Sequence, residues 1–476
     1  MILALMIGLY LLVFCFTVLN QYNMFWYGNF DLGIPDQGIW LLSRFKTPYL
    51  TTRGLHFFGD HTSFIHIFVA PLYWLWNDVR ALILLHTLVL AAGAIPVYLI
   101  ARDKFDSYWI PLVFSFAYIF YPAVHYSNLD QGYHYESFMV PLTLFGYWFL
   151  MHRRFRAYYA MYFFSLICKE EISFSYILFG IYIFFKIDKR VGAVTTATSL
   201  IWVLLVMHVF FPYFNTEGAF YTGRTLGSFG KTTMDKVKSL TNPFFMFNKV
   251  VTAKNYKYFM DVLFPTGFLF FLDLPSMAAA ASLYLNLITD WSYAHEIRFH
   301  YVTPIIPFVF ISIINGVARY KSRKWSVYGL LLVLVVFTLI GNEEIGPGEA
   351  KISNYEMTWD TITKLGRPHG EYAEVLELME LIPEDARVSA SYNFVSHLTH
   401  RERVYMFPNP FRVNLYGIKD SGVHPDTDVD FVLLDTRLVR NELESVYTVN
   451  ESGDYEIIDE RRYAQLFRHV NYTSTL

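Results

Sequence analysis

The chain has 476 residues, of which 54% are hydrophobic and 19% aromatic, while charged residues make up only 17%. This composition is much more apolar than that of an ordinary soluble domain and is typical of a polytopic membrane protein. The net charge of −3 argues against nucleic acid as a partner, and two cysteines in apolar segments offer neither a disulfide framework nor a thiolate metal site.

Charge divides the chain into two parts. From residue 345 onward there are 22 acidic and 13 basic residues and no apolar run long enough to cross a bilayer, whereas the preceding part has a net charge of +6. We therefore predict a membrane domain over residues 1–341 and a soluble α/β domain over residues 342–476. In the second domain, residue patterns predict one helix at 371–381 and strands at 387–391, 403–407 and 429–434.

Apolar segments in the first part predict eleven membrane helices, since about 20 apolar residues are needed to cross a bilayer core. They lie at residues 1–19, 79–101, 108–126, 134–151, 157–168, 171–187, 191–212, 258–273, 276–290, 301–318 and 325–341. Two segments have an alternative interpretation: residues 63–76 could be a short span, and 157–187 could be one long helix. Either alternative alone would place the later basic turns outside, so we favour an interfacial helix at 63–76 and a hairpin at 157–187.

Basic turns between these helices predict the sidedness of the chain. With the amino terminus in the cytoplasm, all of them become cytoplasmic, as the positive-inside rule requires. They contain Arg102 and Lys104; Arg153, Arg154 and Arg156; Lys186, Lys189 and Arg190; and Arg319, Lys321, Arg323 and Lys324. The C-terminal domain is then extracytoplasmic, and the triplets beginning at Asn450 and Asn471 become candidate N-glycosylation acceptors.

The first external loop follows the first helix directly and contains two aspartates, Asp31 and Asp36, in the sequence FDLGIPDQGIW. Asp36 lies at the start of a predicted amphipathic helix, so its alternative role is to cap that helix. Asp31 has a weaker structural explanation. A carboxylate at the mouth of a helix bundle is partly desolvated, which suits a general base near neutral pH.

The same loop contains Asp60 and His61 in FFGDHTSF. His56 and His66 are five residues away on either side, a spacing that spreads side chains around a helix and does not favour zinc. A hard cation such as Mg²⁺ or Mn²⁺, held by Asp60 together with Asp31 or Asp36, is the more plausible metal site.

Further external turns repeat the combination of carboxylate, imidazole and aromatic side chains. Their candidate substrate-binding residues are Asp130, His134 and Glu136, then Lys169 next to Glu170 and Glu171, and finally Arg298 and His300. For Lys169 the favoured reading is charge pairing with its two glutamate neighbours. For Arg298 a bidentate contact to phosphate is slightly favoured over snorkelling at a helix end.

These features resemble the GT-C class of polytopic glycosyltransferases, which carry an essential acidic residue in the first extracytoplasmic loop and use lipid-phosphate-linked sugars. FDLGIPDQ occupies that position here, although the adjacent acidic pair common in the class is missing. The segments FFGDHTSFI, APLYWLW and HYVTPIIPF also resemble a family of predicted archaeal and bacterial membrane proteins grouped with this class.

The resemblance implies inverting transfer of a sugar from a polyprenyl phosphate to an extracytoplasmic glycan, lipid or protein. Asp31, or Asp36, would be the general base, and Arg298, with Lys169 as a weaker candidate, would neutralise the departing phosphate. A transporter is the main rival, but ionisable residues are almost absent from the predicted spans. A receptor or assembly protein with a degenerate transferase domain is the third reading.

Overall fold

A computed structural model describes residues 1–130, 132–215, 225–347, 351–352, 355–356, 370–413, 428–437, 446, 449 and 452–473. The membrane domain is helical. Its helices of eight or more residues are Ile2–Asn23, Ile34–Ser43, Val79–Ala92, Ala94–Arg102, Trp109–Ile119, Pro122–Leu129, Met139–Met151, Phe155–Leu166, Ile172–Lys186, Lys189–Leu205, Thr233–Thr241, Pro243–Val250, Ala253–Leu263, Ala281–Ile288, Ile306–Ala318 and Lys324–Glu344.

Shorter elements connect these helices. Four-residue helices lie at Phe57–Asp60, His66–Val69, Leu72–Leu75, Phe211–Phe214 and Leu274–Met277. Tighter or wider helical turns lie at Asn29–Gly33, Tyr135–Phe138, Val206–Phe210, Gly227–Phe229, Phe264–Thr266, Leu269–Asp273, Ser292–His295 and His300–Ile305. Two-residue strands pair as Tyr49–Leu50 with Leu55–His56 and as Lys351–Ile352 with Tyr355–Glu356.

Within the described ranges, five helices are long and apolar enough to cross a membrane, and a sixth is counted if one bent pair forms a single span. The five are Ile2–Asn23, Val79–Arg102, Lys189–Phe214, His300–Ala318 and Lys324–Glu344. All five fall on predicted spans, but the predicted number of eleven is not confirmed. The predicted hairpin at 157–187 is confirmed, because separate helices end at Leu166 and begin at Ile172.

The predicted helices at 258–273 and 276–290 are not found as continuous helices. The first helix ends at Leu263 and its continuation bends by 80°. Pro265 restricts the backbone there, and Gly267 and Phe268 both adopt the left-handed conformation, which a regular helix cannot include. In the second segment the helix Ala281–Ile288 has only eight residues, or roughly 12 Å, which is too short to span.

Burial separates a central helix from peripheral ones. In the apolar window of His300–Ala318, 83% of the residues are buried, compared with 22% for Ile2–Asn23 and 28% for Lys324–Glu344. The peripheral helices therefore present apolar side chains that suit contact with lipid, whereas the central helix is packed on all sides by protein. Because His300 opens this central helix, its side chain is placed at the mouth of the bundle.

The C-terminal domain contains a five-stranded mixed sheet. The strands occur in the spatial order Val404–Met406, Val388–Ala390, Phe431–Asp435, Ala464–His469 and Tyr455–Glu460. The first three are parallel and the last two add as an antiparallel hairpin. The predicted helix is found at Gly370–Glu380, and a short helix lies at Tyr392–Val395. The three predicted strands are confirmed, whereas the closing hairpin was missed because its first strand is largely exposed and charged.

Candidate functional site

Asp31 lies in a widened helical turn, Asn29–Gly33, that leads directly into the helix Ile34–Ser43. Such wide turns interrupt regular hydrogen bonding and occur frequently at functional sites. Pro35 lies in the first turn of the following helix, where its fixed φ and missing N–H cost nothing. The sequence therefore presents Asp31 on a short irregular segment that rigid helical elements hold in place.

Six ionisable side chains from separate segments meet beside this turn, and we call them the Asp31 cluster. Its members are Asp31, Asp130, His134, Glu136, Lys169 and His300. All six were candidates from the sequence. Four external segments of the predicted topology contribute them, and the structure brings these segments together.

The two histidines of the cluster are stacked and share one carboxylate. The ring centroids of His134 and His300 are 3.9 Å apart. Asp130 Oδ2 lies 3.5 Å from His134 Nε2 and 3.6 Å from His300 Nδ1. The same oxygen accepts a hydrogen bond of 3.1 Å from the His300 backbone N–H. Asp130 therefore orients both rings and stabilises positive charge on His134.

Glu136 and Lys169 form a buried ion pair on the other side of His300. The Lys169 ammonium donates a hydrogen bond to Glu136 Oε1, and His300 Nε2 lies 3.7 Å from the same oxygen. Lys169 Nζ is also 5.6 Å from the ring centroid of Tyr301. Although burial opposes the charged form, Glu136 raises the pKa of Lys169 well above its ordinary value. A permanent ammonium is therefore fixed within the cluster.

The two aspartates of the cluster have opposite pKa shifts. Burial raises the pKa of Asp31 above its ordinary value, and the positive charges of His134 and His300 offset only part of this effect. Burial acts on Asp130 in the same direction, but the close contacts with both histidine rings outweigh it and lower the pKa of Asp130. Carboxylates whose pKa values are pushed apart are suited to different roles. Asp130 is a fixed anion, and Asp31 is the carboxylate suited to accept a proton.

Asp31, His134 and His300 also form the group within the described residues that fits a divalent metal ion. One ligand atom from each lies within 4.8 Å of the others. One carboxylate with two imidazoles suits a first-row transition metal ion better than Mg²⁺, which prefers oxygen ligands. The structure therefore assembles a different donor set from the predicted one, in which Asp60 was paired with Asp31 or Asp36.

His61 borders the cluster through Glu170. His61 Nδ1 lies 2.7 Å from Glu170 Oε1, and the Thr62 backbone N–H donates to the other carboxylate oxygen at 3.2 Å. The predicted charge pairing of Lys169 with Glu170 and Glu171 is therefore incomplete, because both glutamates act on its charge but the direct ion pair is with Glu136. Glu170 forms its contacts with the first loop, and Lys169 pairs with Glu136.

Asp36 is placed by the structure in the contact between the two domains. It does not cap its helix, whose N-cap residue is Gly33. Its carboxylate is completely buried and accepts hydrogen bonds from the hydroxyls of Tyr73 and Thr399. His400 Nε2 lies 3.3 Å from the same carboxylate. These contacts give Asp36 a structural explanation, and its role as the alternative base stays a prediction.

Further contacts hold the C-terminal domain against the Asp31 turn. The Ser396 hydroxyl donates to the Tyr27 carbonyl at 2.5 Å, and the rings of Tyr22 and His397 stack at 4.0 Å. Gly28 is required at this contact, because a Cβ atom there would lie 2.0 Å from the ring of Tyr392. The C-terminal domain thus supports the segment that carries Asp31, a role that the sequence did not predict.

We expect Asp36→Asn to weaken this domain contact. The amide retains the shape but places an N–H₂ group against the hydroxyl donors of Tyr73 and Thr399, and hydrogen bonds to a charged group contribute about 1.5–3 kcal/mol. Thermal unfolding should occur at lower temperature, and limited proteolysis should release the C-terminal domain more readily. Asp428→Asn is the control, because Asp428 is 70% exposed in its ion pair with Arg387. Equal stability of the two variants would contradict the structural role of Asp36.

Two other predicted residues lie apart from the cluster contacts. Asp60 is paired with Arg53, whose Nη2 atom is 3.1 Å from Asp60 Oδ1. The Nε atom of Arg298 lies 2.7 Å from Glu296 Oε2, and this pair is partly exposed. Of the two cations considered for phosphate, Lys169 therefore has the central position. Of the two glycosylation triplets, Asn450 lies outside the described residues, whereas Asn471 is exposed.

Comparison with known proteins places the chain in a family. A family profile described as "Predicted membrane protein (DUF2079)" matches residues 21–462. The chain belongs to this family. No similar sequence is found among curated proteins.

Solved structures give the fold of this DUF2079 member. ArnT from Cupriavidus metallidurans bound to undecaprenyl phosphate superimposes with a TM-score of 0.55 at 10% identity, covering 98% of each chain. Its apo form gives the same TM-score at 11% identity, covering 98% of this chain and 97% of that one. The apo oligosaccharyltransferase from Archaeoglobus fulgidus has a TM-score of 0.44 at 12% identity over 94% of this chain and 71% of that chain. The fold is ArnT-like, which confirms the resemblance to the GT-C class at the level of the fold.

Proposed function

We propose that this membrane protein is a glycosyltransferase that moves a sugar from a polyprenyl-phosphate-linked donor to an extracytoplasmic acceptor hydroxyl. One observation carries the proposal. On an ArnT-like fold, a carboxylate with a raised pKa lies in a cluster that also holds a buried ammonium and two imidazoles. A base next to several cationic groups suits a reaction in which a hydroxyl loses a proton and a phosphate departs.

The proposed reaction is a single displacement with inversion. Asp31 takes the proton of the acceptor hydroxyl while that oxygen forms a bond to the anomeric carbon of the sugar. The bond between this carbon and the phosphate oxygen breaks, and the polyprenyl phosphate leaves with the electron pair. Because a phosphate is a stable anion, the reaction needs no general acid, and stabilisation of the new charge becomes the main task of the site.

Lys169 is the residue proposed to neutralise the departing phosphate. Its ammonium is buried and held by Glu136, so little reorganisation is required when negative charge develops. Protonated His134 would add positive charge at the same place. Arg298, which the sequence favoured for this role, is instead paired with Glu296 near the surface.

A metal ion would add a second way of stabilising charge. Asp31, His134 and His300 would hold it, and a divalent ion there would act as a Lewis acid toward phosphate oxygens. Either chemistry depends on Asp31, as base or as ligand.

Turnover with defined donors tests the proposed function. Purified protein in lipid would be incubated with polyprenyl phosphates carrying different sugars, and transfer to an acceptor or to water would be measured. We expect consumption of at least one donor with release of polyprenyl phosphate. Binding and translocation of a donor without cleavage would support a transporter instead, and the absence of both would support the scaffold reading.

The raised pKa of Asp31 predicts the pH dependence of this turnover. A general base acts when deprotonated, so the rate should rise with pH through the pKa of Asp31, above the ordinary aspartate value of 3.8. Since positive charge on His134 lowers this pKa, His134→Gln should move the acid limb to higher pH. The measurement is initial rate at saturating donor between pH 4 and 8. If the acid limb of the pH profile were unchanged in His134→Gln, the assignment of Asp31 as the general base would be contradicted.

A further inference from the structure

Two helices in a segment that we predicted to be an external loop present apolar faces outward. Thr233–Thr241 and Pro243–Val250 contain no buried residue. Their exposed apolar side chains, together with Val251, have exposed fractions of 45% to 75% and are Met234, Val237, Leu240, Phe244, Phe247 and Val251. At eight or nine residues each helix is roughly 12–14 Å long, so neither can span a bilayer. No described part of the chain covers these faces.

Lysines border the apolar face of the first helix. With about 100° of rotation per residue, Met234, Val237 and Leu240 fall within an arc of about 120°. Viewed down the same helix axis, Lys238 lies next to one edge of this arc and Lys236 lies next to the other. A short helix with an apolar face bordered by lysines is typical of a helix that lies in the membrane interface.

The charge of this segment is unusual for its predicted side of the membrane. Residues 225–257 contain six lysines and one aspartate. They follow the helix Lys189–Phe214, whose first residues belong to a basic turn predicted to be cytoplasmic. The predicted topology therefore places them outside, where lysine excess is not expected. Ion pairs occupy Lys249 and Lys257. Lys231, Lys238 and Lys254 are exposed, which points to an anionic partner outside the protein.

Direct contacts attach the helix pair to the wall of the Asp31 cluster. Asp290 accepts hydrogen bonds from Lys249 and from the Ser228 backbone N–H, the latter at 2.8 Å. Trp291, the next residue, donates its indole N–H to the Tyr301 hydroxyl at 2.7 Å. The Tyr301 ring lies beside Lys169. The helix pair is therefore on the same side of the molecule as the cluster.

We propose that residues 231–254 lie in the headgroup region of the outer leaflet, with the apolar faces of the two helices toward the acyl chains. Lys231, Lys238 and Lys254 would contact anionic phospholipid headgroups. Charge complementarity selects this occupant: a basic border around an apolar face matches an anionic interface better than a protein surface. This surface is independent of the proposed transfer reaction, since it requires only the predicted sidedness.

Quenching by labelled lipids tests the proposal in the full-length protein. With Cys15→Ser as background, since Cys168 is buried, a fluorophore is attached at Phe247→Cys. The protein is placed in nanodiscs containing a small fraction of nitroxide-labelled phosphatidylglycerol or phosphatidylcholine. A fluorophore at Ser452→Cys, exposed in the C-terminal domain, is the control for position.

We expect both lipids to quench the fluorophore at position 247 but not at 452, with severalfold stronger quenching by phosphatidylglycerol. The combined change Lys231→Gln, Lys238→Gln and Lys254→Gln should bring the ratio of the two quenching efficiencies close to one. The matched change Lys321→Gln, Arg323→Gln and Lys324→Gln should leave it unaltered. Equal quenching by the two lipids in the unmodified chain would overturn the anionic preference. Absence of quenching at 247 would overturn immersion and point to a covering protein or a second copy.

Discussion

Asp31→Asn is expected to lower the rate of sugar transfer by about 10²–10⁴-fold, the usual contribution of a general base, while leaving the protein folded. The amide keeps the size of the side chain but cannot accept the proton of the acceptor hydroxyl. Donor binding should change much less than turnover, because Lys169, His134 and His300 remain. The measurement is single-turnover transfer with the donor identified by the panel, alongside binding of that donor.

Two further aspartates provide controls for this result. Asp106→Asn changes an exposed aspartate on the predicted cytoplasmic side and should leave turnover unaltered. Asp36→Asn should reduce stability more than turnover of the folded fraction. If Asp31→Asn retained nearly full turnover while Asp36→Asn abolished it, the assignment of the base would be incorrect.

Separating the buried charges of Glu136 and Lys169 should have the largest effect on stability. Their side chains are 2% and 5% exposed, and removing one partner of a buried pair leaves an uncompensated charge at a cost of about 3–5 kcal/mol. Either Glu136→Gln or Lys169→Met should therefore lower the midpoint of thermal unfolding markedly. Lys257→Met, which breaks a pair whose lysine is 75% exposed, should cost less than about 1 kcal/mol.

A double variant separates the structural effect of the Glu136–Lys169 pair from its effect on the transfer reaction. Glu136→Gln combined with Lys169→Met removes both charges, so much of the lost stability should return. Transfer should not return with it, because no buried ammonium is left to neutralise the departing phosphate. Recovery of both stability and turnover in the double variant would show that Lys169 has only a structural role.

Features governed by local sequence were predicted well. The apolar segments of Ile2–Asn23 and Lys324–Glu344 are long and uninterrupted. Their length and hydropathy are therefore enough to predict them as membrane helices. The prediction failed at Pro265–Phe268, where two residues adopt the left-handed conformation. Apolar composition continues through this bend, and hydropathy does not distinguish a bent segment from a straight one.

Contacts between residues that are distant in the sequence could not be predicted from the sequence. Lys169 has two glutamates directly after it, yet its partner is Glu136, 33 residues earlier. Asp36 has the position of a helix cap, yet it bonds to Thr399, 363 residues later. The choice between neighbouring and distant partners depends on packing between helices and domains, which no local pattern records.

The structure brings together some of the candidate residues from the two ends of the membrane domain and separates others. Asp31 and His300 do meet, because one follows the first helix and the other opens the buried central helix. Asp36 and Arg298, only a few residues away, point to other partners. The predicted order of helices and loops therefore indicated which segments form the site. Which side chains of each segment belong to it depends on the direction in which they point.

A structure of the protein with a polyprenyl phosphate bound would test the central claim most directly. We predict that the phosphate lies within about 4 Å of Lys169 Nζ, the range of an ion pair, with its free oxygen facing Asp31. The lipid chain should extend between helices toward the membrane. A phosphate bound away from the Asp31 cluster, or reached only from the predicted cytoplasmic side, would contradict the account.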